Sequence, residues 1–288
     1  IGCDATCSAV QILSAIRRDP VGMKYTNLLE QKSDSEPPEE AYEFVLEVAR
    51  KQATEDNDEH LLPFLQNRKI GKQLMKAVYG GTEYGIRNSI EEVLADNDLS
   101  IESKDLTKVA GLMMEAFRKA FPEPFKALEY LKDLAKAAHT NGSQSLVWTT
   151  PTGDNIEDIK HKIDTITIKT GHMGVVKHGD FDTERPDLPK QVTAFAPSFV
   201  HALDACVLKE AFSGWHHPLV TIHDCVKVLP KDMDRVYDRL KDAFVSVMSG
   251  DLLADLANEW GIAEDTVKRP PQLSGDLTSV KKSKYFFN

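Results

Sequence analysis

PLVTIHDCVKVLP (218–230) sets two short runs rich in β-branched residues, LVTI and VKV, on either side of His223-Asp224-Cys225. Val, Ile and Thr favour the pleated strand, so the stretch reads as a hairpin with a tight turn at the His-Asp pair. Asp is common in turns for ordinary backbone reasons. A carboxylate held on a rigid turn also suits a metal ion. The stretch by itself leaves both readings open.

Upstream of this hairpin, APSFVHALDACVLKEAF reads as a helix with Pro197 near its start, and HKIDTITIKTG alternates as a half-buried strand should. SQSLVWTTPTGD reads as a strand and turn. PPEEAYEFVLEVARKQ has a proline and acidic start and one apolar stripe through Tyr42, Val45, Leu46 and Ala49. LLPFLQNRKIGKQLMKAVYGG reads as a further helix ending at Gly80-Gly81. Residues 86–97, 105–120 and 123–140 are helical as well, and downstream of the hairpin helices run to about 261. The chain closes on KKSKYFFN, a basic and then aromatic tail. These patterns predict a helix-rich α+β chain with a small antiparallel sheet.

Composition narrows the function. With 288 residues and 41% hydrophobic content, the chain can build a real core. It has no run of 18 apolar residues, so no transmembrane helix and no membrane partner are expected. A formal charge of −10 argues against a general cationic coat for nucleic acid but leaves room for a local basic groove. Arg68, Lys69, Lys72 and Lys76 in NRKIGKQLMK form such a cluster. Cys3 and Cys7 lack a second close Cys/His pair, so a structural zinc site is not expected, and reduced thiols in an intracellular protein fit better. The chain begins at Ile1 with no Met and no signal-like segment. Its start reads as the edge of a fragment, of a processed subunit or of a chain lacking its first part.

Three groups of residues carry possible chemistry. Asp4, in GCDATCSAVQ, is either a helix cap or the partner of Asp224. Two carboxylates from distant segments could hold two divalent metals ~4 Å apart, which clamp the attacking and leaving oxygens of a phosphoryl transfer. Magnesium needs few protein ligands when substrate phosphates supply the rest. Arg68 and Lys72 are four apart on one helical face, and Tyr79 lies close to the same stripe. Such a face could meet a triphosphate and a sugar, or could be a solvated basic face with a core tyrosine. The glycines of YGGTEYG are not a phosphate-binding P-loop, because GK[ST] is absent. His201 is a lone helical histidine.

Taken together and in order, these segments resemble the C-terminal part of the single-subunit RNA polymerases of bacteriophages and mitochondria, within the A-type polymerase superfamily. DATCSAVQILSAIRRDPVGMKYTNLL resembles the family's motif A, RKIGKQLMKAVYGGTEYGIR its motif B and TIHDCVKVLP its motif C. APSFVHALDA, VWTTPTGD and the terminal YFFN have counterparts too, so the resemblance runs from residue 4 to the end. It implies a right-hand polymerase palm and fingers without the N-terminal and thumb regions. Residues 1–36 would be palm with motif A, and 37–140 fingers with the motif B helix. Residues 141–288 would be palm with motif C and the tail, part of the fingers extending into 141–195.

The resemblance also assigns roles. Asp4 and Asp224 would be the catalytic carboxylates and ligands of two magnesium ions. His223 would support the turn or the primer end, and Arg68 and Lys72 would bind the incoming triphosphate. Tyr79, followed by Gly80, would take part in ribose selection, and His201 would contact the minor-groove side of the nascent pair. The motif B lysine usually stands eight residues before the tyrosine, whereas Lys72 stands seven before Tyr79 and Gly71 takes the eighth place. One residue on an ideal helix is a rotation of ~100°.

DNA-making relatives have a glutamate five residues after the motif A aspartate, against the ribose 2′-OH; here Ala9 stands there. Cys225 follows Asp224 where they often have glutamate. Both favour ribonucleotides. The implied activity is DNA-templated RNA synthesis, with DNA template, nascent RNA and NTPs as partners. A second polymerase subunit, as in split heterodimeric phage enzymes, or a missing N-terminal region would complete it. Host cytoplasm would be the setting for a phage enzyme, with mitochondrion or plastid the lesser possibility. The alternatives are an A-type DNA polymerase or primase-like enzyme, or a non-catalytic scaffold subunit that binds nucleic acid.

Overall fold

The structure is a computed structural model. It describes residues 2–31, 33, 35–79, 81–170 and 174–287, and for 75, 164–170 and 174–184 the backbone only. The chain opens with β1 (Gly2–Cys3), then α1 (Ser8–Arg17) and α2 (Pro20–Tyr25). A helical stretch follows: α3 (Ala41–Glu55), a 3₁₀ segment (Glu59–Gln66), α4 (Arg68–Gln73), α5 (Met75–Val78), α6 (Glu83–Ala95), α7 (Ser103–Ala120) and α8 (Pro122–Thr140). Next come β2 (Leu146–Thr149), β3 (Asn155–Asp158), β4 (His161–Thr170), β5 (Gly174–Pro186) and α9 (Leu188–Phe212). The hairpin β6 (Leu219–Ile222) and β7 (Cys225–Val228) leads into α10 (Met233–Val247) and α11 (Leu252–Glu259). The expected helix-rich α+β class with small antiparallel sheets is what the chain adopts.

The sheets are separate and antiparallel. β1, β7 and β6 form one, in that order, while β2–β3 and β4–β5 are two-stranded. The register of the first is short but definite: Gly2 opposite Lys227, Cys3 opposite Val226, and Ile222 opposite Cys225 across the hairpin. The predicted turn at His223-Asp224 therefore forms, and His223 takes a left-handed φ of 53° to close it.

All of α1 is buried, Ser8 through Arg17, which explains why SAVQILSAIR has few polar positions to spare. The helix packs on α2, α8 and α9. Arg17, only 1% exposed, is the charge this burial must satisfy. Its guanidinium donates to Glu123 at 2.5 Å and to the carbonyl oxygens of Pro270 and Pro271. Removing one partner of such a pair would leave an uncompensated buried charge.

Two sequence expectations shift. The helix expected over 61–81 is not continuous in its described residues. A 3₁₀ segment and two short helices replace it, because Pro63 cannot continue an α-helix and Leu74 and Ala77 donate to carbonyls three residues back rather than four. Pro197 lies well inside α9 rather than near its start. The helix is carried through it by a packed aromatic cluster, with Trp148 edge-on to Phe195 at 5.1 Å and Phe199 alongside. This same α9 is long and apolar enough by composition to cross a membrane, yet half of that window is buried inside the protein.

The aromatic end of the chain is part of the core: Phe286 is fully buried, edge-on to Phe244 at 5.0 Å, and Phe287 bridges to Ala5. The Gln11 side chain donates to the Phe286 carbonyl at 3.1 Å and to that of Thr26 at 2.9 Å. We expect Phe286→Ala to destabilise the fold by about 3–5 kcal/mol. A shift of the denaturant midpoint at constant slope would measure it.

Candidate active site

The β1–β7 ladder carries the N-terminal segment to the β6–β7 turn. Cys3 pairs with Val226, and its thiol points to the Val226 carbonyl at 3.8 Å, joining residues 223 apart in the chain. Asp4, one residue beyond, thus stands beside the turn that holds Asp224. The two carboxylates feel each other. Burial raises the Asp4 pKa above its ordinary value and the Asp224 charge raises it further, while the Ala5 N–H and Lys72 pull it down. The Ala5 N–H donates to Asp4 Oδ1 at 3.1 Å. Asp4 is exposed and Asp224 half-buried. A cation would relieve the repulsion of such a pair.

A cleft of about 440 Å³ opens beside Asp224. Ser8, from the first turn of α1, and Tyr79, just after α5, line one part of it; His201, Asp204, Ala205 and Leu208 of α9 line another, with His223 and Asp224 at the turn. Tyr79 stacks on His201 with ring centroids 4.6 Å apart and planes inclined by 18°. Its hydroxyl lies 3.2 Å from Ser8 Oγ. Burial raises the Tyr79 phenol to about 12, so it is a neutral hydroxyl at working pH. Desolvation lowers the His201 pKa, and the neighbouring His223 lowers it further.

Tyr79, His201, His223 and Asp224 therefore share one cleft, and Asp4 adjoins it. Lys72 is exposed on α4, close enough to Asp4 to act on its carboxyl. Arg68 is engaged elsewhere, in an ion pair with Glu40 at the start of α3. Gly71 cannot stand in for a lysine, because a Cβ there would come within 2.9 Å of the Tyr42 Cβ and 3.2 Å of its carbonyl oxygen. The break at Leu74 separates Lys72 from the helical turn that leads to Tyr79. Gly80 lies outside the described residues. Among the described residues no cluster of three or more His, Cys, Asp or Glu has the arrangement of a metal site.

The sequence reading missed Ser8 and Asp204. Ala9, taken as the residue that leaves room for a ribose, is fully buried, and its neighbour Ser8 is the one in the cleft. Asp204 follows His201 by three residues and so shares its helical face, a signal that was present in HALD. Burial raises the Asp204 pKa to about 7, with the Asp224 charge adding to it and a hydrogen bond from Ser8 opposing it.

A carboxyl whose pKa is raised by folding holds its proton in the native state after the unfolded chain has lost it. Stability then falls as pH rises from the ordinary carboxylate range near 4 to about 7. Asp204→Asn should flatten that part of the stability profile in metal-free buffer. Urea midpoints measured across pH 4 to 8 would check it.

A family model of DNA-dependent RNA polymerase matches residues 1–269. The chain is 27% identical to the DNA-directed RNA polymerase of Pseudomonas phage phiKMV, over 99% of this chain and 37% of that protein. It is 28% identical to the mitochondrial DNA-directed RNA polymerase 1B of Nicotiana tabacum, over 99% of this chain and 30% of that one. With the tobacco DNA-directed RNA polymerase 2A it shares 27% identity over 99% of this chain and 90% of the other. The chain thus spans about a third of the length of the first two relatives. The match, residues 1–269, takes in β1, the cleft and the β6–β7 turn, and the chain belongs to the DNA-dependent RNA polymerase family.

Proposed function

We propose that this chain carries the catalytic centre of a DNA-templated RNA polymerase, which adds ribonucleotides to an RNA 3′ end and releases pyrophosphate. The observation that supports this most directly is the convergence of Asp4 and Asp224 beside a cleft whose wall is Tyr79 stacked on His201. Residues 1–36 and 141–288 would then be palm and 37–140 fingers. DNA template, RNA and NTPs would be its partners, with a second subunit or further chain completing the channel.

Asp4 and Asp224 would hold two magnesium ions, which supply stabilisation of charge on the attacking and leaving oxygens when bound. The mutual repulsion of the two carboxylates fits a site that cations and substrate phosphates complete. The remaining work falls to side chains of the cleft. Lys72 faces the Asp4 side and would meet the triphosphate. Arg68 would join it by exchanging Glu40 for phosphate, to which a guanidinium binds in a matching fork. The stacked Tyr79 and His201 rings would hold the sugar and the minor-groove edge of the new pair. His223, exposed at the turn, would face the primer end.

Asp4→Asn and Asp224→Asn should each abolish nucleotide addition while leaving the unfolding midpoint and circular dichroism near those of the parent. The amide keeps the shape and loses the charge that holds a cation. Extension of a labelled RNA primer on a DNA template, at saturating magnesium, is the measurement; parent-like extension by either variant would defeat the assignment.

Tyr79→Phe should keep the ring on His201 and remove the hydroxyl. Elongation with NTPs should persist, and the preference for NTP over dNTP should fall about five- to tenfold, the worth of one hydrogen bond. Single-nucleotide kcat/KM values for the paired substrates would show it, and an unchanged ratio would remove Tyr79 as the selector.

A further inference from the structure

The exposed face of the three-stranded sheet carries a cation that the cleft does not use. Side chains alternate between the two faces of a strand. Cys3, Val226 and Val228 are buried, so Gly2, Cys225 and Lys227 lie on the other face, with Val220 and Ile222 of β6 beside them. Lys227 is exposed, and its stem runs across β1: a Cβ on Gly2 would lie 3.4 Å from Lys227 Cγ and 3.9 Å from its Cε. Its two neighbours across the ladders are Gly2 and Val220, neither of them acidic. Opposite charges stabilise cross-strand pairs. The chain has 45 acidic residues against 35 Lys and Arg, yet among the described residues Lys227 makes no ion pair. Lysines often guard the edges of sheets. Here β7 is the middle strand, so edge protection is not the reason for this one.

We propose that Lys227 is an RNA-positioning residue, which holds a backbone phosphate of the RNA 3′-terminal segment against this face of the sheet. The assignment rests on the reading of Asp4 and Asp224 as the catalytic carboxylates, which puts the RNA 3′ oxygen at the β6–β7 turn. β7 leaves that turn at Cys225, and Lys227 follows two residues on, about 7 Å along the strand. The RNA behind the 3′ oxygen must run away from the turn, and its first phosphates then come within reach of the Lys227 stem. An ammonium on a flexible stem is a compact point charge suited to one phosphate. Val220, 55% exposed, and Ile222, 52% exposed, offer uncharged surface to the sugars beside it. A phosphate contact positions a strand without reading its sequence, which is what extension of any RNA requires.

The test is extension of an RNA primer annealed to a DNA template by the native polymerase that contains this chain. Affinity for the primer–template and KM for NTP are measured separately over a series of salt concentrations. Lys227→Gln should weaken primer–template binding about three- to tenfold at low salt. It should also make the slope of log affinity against log salt shallower by about 0.7 to 0.9, the release of one counterion. KM for NTP should stay near the parent value, and Lys227→Arg should restore the affinity. Lys136→Gln, which removes an exposed lysine of α8, should match the parent in affinity and slope. A primer with a neutral methylphosphonate in place of one of its last three phosphates should bind the parent more weakly at one linkage. At that linkage Lys227→Gln should cause no further loss, because both changes remove the same contact. A lower unfolding midpoint with the parent's salt slope would mark a contact with protein rather than RNA and would overturn the assignment. An equal loss in Lys136→Gln, or a raised KM for NTP with unchanged RNA affinity, would overturn it too, and all three outcomes leave the polymerase reading intact. Parent protein that adds no nucleotide at all overturns that reading and this assignment with it.

Discussion

Two backbone pairs between β1 and β7 hold the candidate site together. Gly2 opposite Lys227 and Cys3 opposite Val226 join the N-terminal segment to the strand that follows the turn carrying Asp224. A shift of one residue in that register would turn every β1 side chain to the other face of the sheet. The ladder is too short to be stable alone. Its support comes from behind: Phe287 bridges to Ala5, Phe286 packs on Phe244 of α10, and Gln11 ties α1 to the Phe286 carbonyl. The C-terminal residues thus brace the segment that bears Asp4.

The second constraint is electrostatic. Asp4 and Asp204 both have raised pKa values, burial being the larger cause and Asp224 a shared further one. Carboxylates this close favour either protons or cations, and the whole chain, at −10, offers no background of positive charge to offset them. A polyanionic substrate would be repelled by such a cleft unless cations intervened, and Lys72 is the basic side chain seen to act on Asp4. The cluster therefore makes sense as a site whose charge balance is completed from outside the chain. Buried α1 places Ser8 on one side of the cleft, and the long α9 places His201 and Asp204 on the other.

Much of this was legible in the amino-acid order. The β-branched runs around His223-Asp224 specify a hairpin, the helical patterns specify the helices at 41–55, 83–95, 103–120 and 122–140, and the motif order points to the family that the comparison bears out. Local pattern was enough there because strand and helix periodicities act over a few residues. It was not enough between 61 and 81, where a helical pattern is broken by Pro63 and by 3₁₀ bonding around Leu74. It is silent on the packing of the C-terminus, where the aromatic residues are core because α10 and α1 supply the walls.

The sequence by itself determined which residues have the chemistry: carboxylates on a turn and beside a strand, a tyrosine after a basic helix, and a histidine on an apolar one. Tertiary structure decided which of them meet. Asp4 reaches Asp224 through a backbone ladder between segments more than two hundred residues apart, joined at the thiol of Cys3 and the carbonyl of Val226, 223 positions on. Arg68 is drawn to Glu40, and Ser8, rather than Ala9, faces Tyr79. Such choices depend on register, on helix rotation and on which buried polar group needs a partner. These are set by the packing of the whole chain and leave no trace in the local order of residues.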